Sequence, residues 1–252
     1  GFTDGKEHRK DLPAVYNNYI RLSGDENYDN SMDHIRALLF PLHITSFCLC
    51  DALEEESYLG ASQVIIVSAS SKTAIGLAQG LADTGKAPKI IGLTSSKNSD
   101  FVNNLGCYDE VITYDKLSSV NKSLKSVMVD MAGSREILGT LHMSLGDNML
   151  KCFTVGMTHW DNEVTADDAL GQAMLRDRTE FFFAPAHIQK RVIDWGYEGY
   201  NNKTNVFMAS RAIQSKQWMQ VKEIFGMEDF LPTYSKVVAG VINPIEGIII
   251  NL

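Results

Sequence analysis

The sequence predicts an α/β fold, a doubly wound parallel sheet of the Rossmann type, from about residue 61 onward. Residues Gln63–Val67 form a nearly continuous apolar run, which is typical of a strand covered on both faces. Runs of this kind alternate along the chain with segments of helical periodicity. With 252 residues, of which 44% are hydrophobic, the chain is long enough to bury a substantial core.

The first strand–helix unit is the clearest. A small polar loop, residues 68–73, follows the strand. A helix comes next, with apolar residues at three- and four-residue spacing: Ala74, Leu77, Ala78, Leu81 and Ala82. Gly85, with Pro88 just beyond it, predicts the end of this helix.

The same rhythm continues towards the carboxyl terminus and then loosens after Trp160. Strands are predicted at residues 89–93, 110–114, 126–130, 152–156 and 181–184, with helices at 98–105 and around Ile137, Leu138, Leu141 and Leu145. We expect a loop with a helical stretch at 161–178, one or two helices at 204–225, a strand at 236–241, a turn at 243–247 and a last strand at 248–252.

Composition excludes several classes of function. The net charge of −8 and the lack of a Lys/Arg run argue against a nucleic-acid partner. The longest apolar stretch, residues 37–53, contains polar side chains and is interpreted as a buried helix rather than a membrane span. Four irregularly spaced cysteines indicate reduced, buried thiols without a metal site, and therefore a reducing compartment, the cytoplasm or an organelle matrix.

The loop after the first strand is the expected phosphate site. The amino terminus of a helix that follows a strand presents N–H groups and a positive dipole to an anion. Gly76 fits the last glycine of the dinucleotide motif, whereas Ser70 and Thr73 occupy its earlier glycine positions. The hydroxyls of Ser70, Ser71 and Thr73 and the Lys72 ammonium are candidate phosphate contacts. The alternative is a helix cap without a ligand.

The end of the second strand indicates which nucleotide is bound. Domains specific for NAD place an acidic residue here, about 20 residues after the glycine loop. This sequence instead has Thr94, Ser95, Ser96 and Lys97, and the first acid is Asp100. Hydroxyls and a lysine suit a 2′-phosphate, so we predict NADP(H) as the cofactor. A polar turn with a solvated lysine is the alternative interpretation.

Three segments together carry a family resemblance: VIIVSASSKTAIGLAQGLA, IIGLTSSKN with LGCYDEVITYD, and VMVDMAG. They resemble the cofactor domain of medium-chain dehydrogenases and quinone reductases. The tail GVINPIEGIIINL and the segment ALLFPLHITSFCLCDAL are similar to the closing strands and the leading helix of that superfamily. Details such as VYNNY and FPLHITSF look closer to a branch described only as a domain of unknown function.

The resemblance implies roles for particular residues. It places Thr45 near the nicotinamide, and Lys97 and Tyr114 beside the adenosine 2′-phosphate. It further implies that residues 130–133 and 156–158, including Asp130, Gly133, Gly156 and Thr158, line the ribose and the nicotinamide. The sequence departs from the family at the glycine positions and in lacking most of the amino-terminal barrel domain.

This comparison suggests three parts. Residues 1–35 are expected to be a remnant of the catalytic barrel, residues 36–235 the Rossmann domain with its leading helix, and residues 236–252 strands that return towards the catalytic domain. Tyr16 and Tyr19, three residues apart, are the candidate proton donors if they share a helical face near Thr45. The alternative is an aromatic pair that packs at a domain junction. His43 is interpreted as a core residue.

Two functions remain open from the sequence. One is a metal-free, NADP(H)-dependent oxidoreductase of quinone-reductase-like type, which transfers hydride to a carbonyl or an activated alkene of a small-molecule substrate. The other is a catalytically silent Rossmann-fold relative that acts as a binding or structural subunit of a larger complex. A homodimer is compatible with either function.

Overall fold

The computed structural model describes residues 2–19, 21, 28–132, 134–156 and 176–251. Its strands are β1 (Phe2–Thr3), β2 (Asn18–Tyr19), β3 (Gln63–Val67), β4 (Lys89–Thr94), β5 (Glu110–Thr113), β6 (Ser126–Asp130), β7 (Met149–Thr154), β8 (Thr179–Phe181), β9 (Gln220–Phe225) and β10 (Glu246–Asn251). Its α-helices are α1 (Asp33–Glu55), α2 (Lys72–Thr84), α3 (Ser99–Asn104), α4 (Arg135–Leu145), α5 (Ala184–Ser215, interrupted at Gly196) and α6 (Gly226–Val238).

Six strands form one parallel sheet in the order β5-β4-β3-β6-β7-β8. The chain builds one half outward from β3 and then returns to build the other half outward from β6. This is the strand order of a doubly wound dinucleotide-binding fold, so the predicted fold class is confirmed. The strands predicted at residues 63–67 and 126–130 match β3 and β6 in full.

Alternate side chains of β3 enter two separate apolar layers. Val64 and Ile66 pack with α1 and α2, while Ile65 and Val67 pack with α4 on the opposite face. All of these strand residues are fully buried because helices cover both faces of the sheet. The connections after β3 and β6 therefore leave the sheet on opposite sides.

Helix α2 forms as the sequence predicts. The Ser71 side chain accepts a hydrogen bond from the Ala74 N–H at the first turn, and Gly85 ends the helix in the left-handed conformation with φ of 61°. Gly80 is required by packing, because an added Cβ would lie 2.5 Å from Cys50 Sγ and 2.7 Å from Phe207. This close approach brings α2 against both α1 and α5.

Helix α1 lies between α2 and α5. Residues Asn30–Glu55 contain an 18-residue window with a mean hydropathy of 1.4, which is apolar enough to cross a membrane by length and composition alone. In this fold the helix is instead a packed element, half buried within that apolar window, as the sequence interpretation expects. The four cysteines are free and buried.

Charged groups join α1 to α5. The Asp51 carboxylate accepts hydrogen bonds from His187 Nε2 at 2.6 Å and from Arg191 Nε. Arg191 also pairs with Glu55 and Asp194, each at 2.9 Å. Since a buried guanidinium is stable only when paired, this cluster determines how α5 sits along α1.

The carboxyl-terminal region differs from the sequence expectation. Residues 220–225, predicted as helix, form strand β9, and residues 236–241, predicted as strand, are the end of α6 and a turn. The proposed boundary at residue 235 thus falls inside a helix. Strands β9 and β10 pair in parallel, which requires a crossover such as α6, and this pairing outweighs the local preference of Val237 and Val238 for strand.

Smaller differences occur upstream. The strand expected at 181–184 is β8, which ends at Phe181, and Ala184 already begins α5 with Pro185 in its first turn. The first half of α5 was missed because Gly196 and Gly199 break its apolar periodicity. Most of the expected loop at 161–178 lies outside the described residues.

Candidate functional site

The carboxyl ends of β3 and β6 define the candidate site. Neighbouring strands whose connections leave on opposite faces open a crevice at this edge, where doubly wound folds bind nucleotides. The loop after β3 starts with Ser68, a non-glycine residue in the left-handed region with φ of 62°. Strain of this kind costs on the order of 1–3 kcal/mol and is concentrated at functional sites.

The serine-rich loop is held by side chains from two neighbouring loops. Ser68 Oγ lies 3.2 Å from the Tyr114 hydroxyl, and Ser70 Oγ accepts a hydrogen bond from Asn98 Nδ2 at 3.1 Å. Burial raises the pKa of Tyr114, so its phenol stays protonated. The structure therefore brings Ser70 and Tyr114 together around one loop and adds Asn98, which the sequence analysis missed.

The first turn of α2 leaves two amides available. The Ala69 and Ser71 N–H groups bond to Leu93 and Ser68 carbonyls, and the Ala74 N–H bonds to Ser71 Oγ. Among the described residues, the N–H groups of Lys72 and Thr73 have no acceptor. A helix of 13 residues adds its dipole at this point, so these two amides are suited to an anion.

The Lys72 side chain has a different partner from the one expected. Its ammonium donates to the carbonyl oxygens of Pro244 at 3.1 Å and Glu246 at 2.9 Å. Burial lowers the pKa of Lys72, although the Glu246 carboxylate opposes this shift. Two of its three N–H groups thus tie the start of α2 to the turn before β10. Sequence alone could not reveal this contact, because the partners are backbone carbonyls more than 170 positions away.

The end of β4 combines one buried and several exposed polar groups. Thr94 is buried, Ser95 is partly buried, and Ser96 and Lys97 are exposed. Ser96 Oγ donates to Asp115 Oδ1 at 2.8 Å, a contact that the sequence analysis missed. The sequence contained a feature that could have predicted this contact, since Asp115 directly follows Tyr114 after the adjacent strand. A carboxylate therefore lies beside the expected 2′-phosphate position.

Across the crevice, Asp130 and Gly156 shape the β6 side. Asp130 is fully buried, and its Oδ1 accepts a hydrogen bond from the Ala132 N–H at 3.1 Å. A Cβ at Gly156 would collide with the Met131 carbonyl oxygen, so only glycine allows the two loops to approach this closely. Gly133 and Thr158 lie outside the described residues.

Helix α1 contacts the first turn of α2. Ser46 Oγ donates to the Thr73 carbonyl at 2.8 Å, and a Cβ at Gly76 would lie 2.7 Å from that same oxygen. The glycine at position 76 therefore leaves room for α1 to pack closely on α2. Thr45, the next residue to Ser46, is partly exposed and bonds back to the Pro41 carbonyl at 3.2 Å.

The tyrosine pair does not share a helical face, so this expectation is wrong. Tyr16 ends a 3₁₀ turn and Tyr19 lies in β2, where its ring stacks on Phe2 with centroids 4.9 Å apart. The two residues are 49% and 42% exposed. Every side-chain hydrogen bond and ring contact described for residues 2–19 joins two residues of that segment, so none of these contacts involves Thr45.

Comparison with known families gives one match that covers nearly the whole chain. Residues 1–243 match the model described as "Protein of unknown function (DUF2855)". The chain belongs to the DUF2855 family. No protein among those with curated functions matches its sequence significantly.

Solved structures resemble this DUF2855 protein in fold. CurA from Vibrio vulnificus in complex with NADPH has a TM-score of 0.51 at 12% identity, over 82% of this chain and 61% of that one. The yhdH oxidoreductase from Salmonella enterica in complex with NADP has a TM-score of 0.53 at 12% identity, over 84% and 61%. A putative NADPH:quinone reductase from Mesorhizobium loti has a TM-score of 0.52 at 13% identity, over 84% and 58%.

At these identities the likeness shows the fold alone. The DUF2855 chain spans about three fifths of the length of these structures. Among its described residues, no group of three or more His, Cys, Asp or Glu side chains is placed to hold a metal ion.

Proposed function

We propose that this chain is the nucleotide-binding part of an NADP(H)-dependent, metal-free oxidoreductase of quinone-reductase-like type, which reduces a carbonyl or an activated alkene. The observation that carries the proposal is the strand order, with the serine-rich loop on one side of the β3–β6 crevice and Lys97 at the end of β4. Structural neighbours crystallised with NADPH or NADP support the same choice of cofactor.

The residues present fit a dinucleotide. The Lys72 and Thr73 amides would bind the pyrophosphate, because they are aligned with the α2 dipole and lack acceptors within the described chain. Lys97 and the hydroxyls of Ser95 and Ser96 would bind the 2′-phosphate. Asp115 repels that phosphate and so reduces the preference for NADP(H) without providing the acid after β4 that NAD-binding domains use.

The cofactor would supply the hydride, and the chain would orient it. We assign the nicotinamide half to the β6 side of the crevice, where Gly156 packs closely on Met131, and Thr45 on α1 remains a candidate contact from the resemblance. A proton donor is needed to complete reduction of a carbonyl. Tyr16 and Tyr19 remain the candidates for this role, on a segment whose described side-chain contacts are internal.

A catalytically silent relative is the second candidate function, and two observations favour it. Lys72 is committed to backbone carbonyls rather than to a phosphate. The only proposed proton donors are about half exposed. In this case the protein would retain nucleotide binding, or the fold alone, within a larger complex.

Calorimetry with NADPH and NADH tests the proposal. We expect NADPH to bind more tightly than NADH. Lys97→Ala should weaken NADPH binding by a factor of roughly ten to one hundred, the contribution of a charge-assisted hydrogen bond, and so remove most of the difference between the two nucleotides. Lys122→Ala, an exposed lysine in another loop, is the control and should change nothing. Equal affinities for the two nucleotides would overturn the NADP(H) assignment, and binding of neither would overturn the proposed function.

A turnover assay separates the two candidate functions. Oxidation of NADPH in the presence of quinones, enones and aldehydes supports an enzyme. Tight NADPH binding with no acceptor-dependent oxidation supports the silent relative. Tyr19→Phe should lower turnover and leave NADPH affinity unchanged if that phenol donates the proton.

A further inference from the structure

A cavity of about 430 Å³ lies between the first half of α1 and the second half of α5. Apolar side chains from both helices form its walls: Met32, Ile35, Phe40, Met208, Ala212 and Ile213. Its volume lies within the range of small-molecule sites, and methionine walls adapt readily to ligands of varied shape.

His43 forms one end of this cavity and has no described hydrogen-bond partner. The residue is 3% exposed, and no described residue bonds to its ring. Burial, together with the nearby Arg211 charge, lowers the pKa of His43 to about 4, so its imidazole is neutral at pH 7. A neutral imidazole offers one donor and one acceptor, which a ligand in the cavity could use. His43 is thus a core residue, as the sequence interpretation expects, and its ring also borders the cavity.

Charged residues form the opposite end. Helices α1 and α5 run antiparallel, since Asp51 contacts His187 while Phe47 contacts Phe207. Arg36 and Lys216 thus lie together, and Arg36 is about 10 Å from His43 along the helix axis, at 1.5 Å per residue. The acidic residue Asp29 lines the same end of the cavity.

The acidic groups at this end already have partners within the chain. The Asp29 carboxylate accepts hydrogen bonds from the Ser31 N–H and hydroxyl, both at 2.9 Å, and so is already solvated by the chain. Arg36 donates to the Asp29 carbonyl oxygen at 2.7 Å and also pairs with Asp33 at 3.5 Å. Among the described residues, Lys216 has no salt bridge. An incoming anion therefore finds an uncommitted ammonium beside a guanidinium with donors to spare.

The cavity is separate from the nucleotide crevice. His43 and Thr45 are two residues apart on a helix, so their side chains diverge by about 200° around its axis. The residues that line the cavity come from α1, from α5 and its C-cap residue, and from the turn before α1, and none of them belongs to the crevice loops. His43 nevertheless approaches α2 at Gly76, because a Cβ there would lie 3.2 Å from the His43 ring.

We infer that this cavity is a second ligand site, which binds a medium-chain carboxylate carrying a hydroxyl or keto group at its far end. The carboxylate lies against Arg36 and Lys216, the apolar chain lies along the methionine-lined walls, and the far oxygen bonds to the His43 ring. The site does not depend on the nucleotide, so its test and that of the proposed function fail independently.

Calorimetry with octanoate and ω-hydroxyoctanoate tests the inference in the absence of nucleotide. We expect both to bind, with the hydroxy acid about three- to tenfold tighter, as one neutral hydrogen bond allows. His43→Leu should abolish that preference while retaining octanoate binding. Lys216→Glu should weaken both ligands at least severalfold, whereas Lys122→Glu, the same charge change outside the cavity, should weaken neither.

A cavity-filling variant locates the binding. Ala212→Trp should abolish it, with circular dichroism and thermal unfolding showing that the variant is folded; if it is not, Ala209→Leu on the same wall replaces it. The inference is overturned if neither acid binds the wild-type protein. Equal affinity for octanol and octanoate, or undiminished binding by the folded filled-cavity variant, would overturn it as well.

Discussion

The buried His43 ring should make the protein less stable at mildly acidic pH. Its pKa is about 4 in the folded protein and 6.5 for an ordinary histidine, because burial and Arg211 disfavour the charged form. Above pH 6.5 the ring is neutral in both states and has no effect. As the pH falls from 6.5 to 4, the unfolded chain takes up the proton first, so the free energy of unfolding decreases.

The size of this effect follows from the shift. A difference of this magnitude corresponds to on the order of 3 kcal/mol, lost progressively between pH 6.5 and pH 4. That is a large fraction of the 5–15 kcal/mol that is typical for a domain. Carboxylates also titrate near the lower end of this range, so a comparison with variants is needed to isolate the contribution of His43.

Urea unfolding from pH 7.5 to pH 4 in steps measures the effect in the wild type and in His43→Gln and His43→Leu. Neither variant titrates at this position, so the wild-type curve should fall relative to both by the same amount. If the polar and the apolar replacement give the same result, the pH dependence of the wild-type free energy of unfolding comes from protonation of His43 rather than from packing. Parallel curves for all three proteins would refute the argument, because the ring would then be as well solvated as in the unfolded chain.

Three further predictions concern helix packing and the crevice. Gly80→Ala should destabilise the protein by about 1–2 kcal/mol in thermal unfolding, because the clash with Cys50 exceeds the gain of about 1 kcal/mol in helix propensity; adding Cys50→Ala should recover part of the loss, and an unchanged Tm in the single variant would refute the packing. Lys72→Met should lower the free energy of unfolding by about 2–3 kcal/mol, because it removes two charge-assisted hydrogen bonds. Proteolysis near β10 should be faster than in the wild type, since the carboxyl-terminal turn is released. Asp115→Asn should tighten NADPH binding severalfold without tightening NADH binding, as measured by calorimetry; equal gains for both nucleotides would place Asp115 away from the 2′-phosphate.

Local sequence signals predicted the Rossmann core well. Strands β3 and β6 are fully buried on both faces, so their apolar runs leave little alternative to a central strand. Helix α2 carries its own signals for start and stop, the Ser71 cap and Gly85. Such signals act within a few residues, and the strand–helix alternation then determines a parallel sheet with right-handed connections.

The carboxyl-terminal region lacked such local evidence. Residues 220–225 and 236–241 have similar apolar character, yet the first is a strand and the second the end of a helix. Most of β9 and all of α6 are partly or fully exposed, so their periodicity is not shaped by a core on both sides. Parallel pairing between distant segments decided their conformation.

For the candidate site too, the sequence determined some features and only the tertiary structure decided the others. The sequence determined the position of the crevice loops, because the hydroxyl-rich segment after β3 and Lys97 after β4 are local features of strand ends. Only the tertiary structure decided what those side chains contact: Lys72 bonds to carbonyls near residue 245, Asp115 approaches Ser96, and His43 lines a cavity. These partners are distant in sequence, and the energy of a polar side chain depends on its neighbours and burial rather than on its identity.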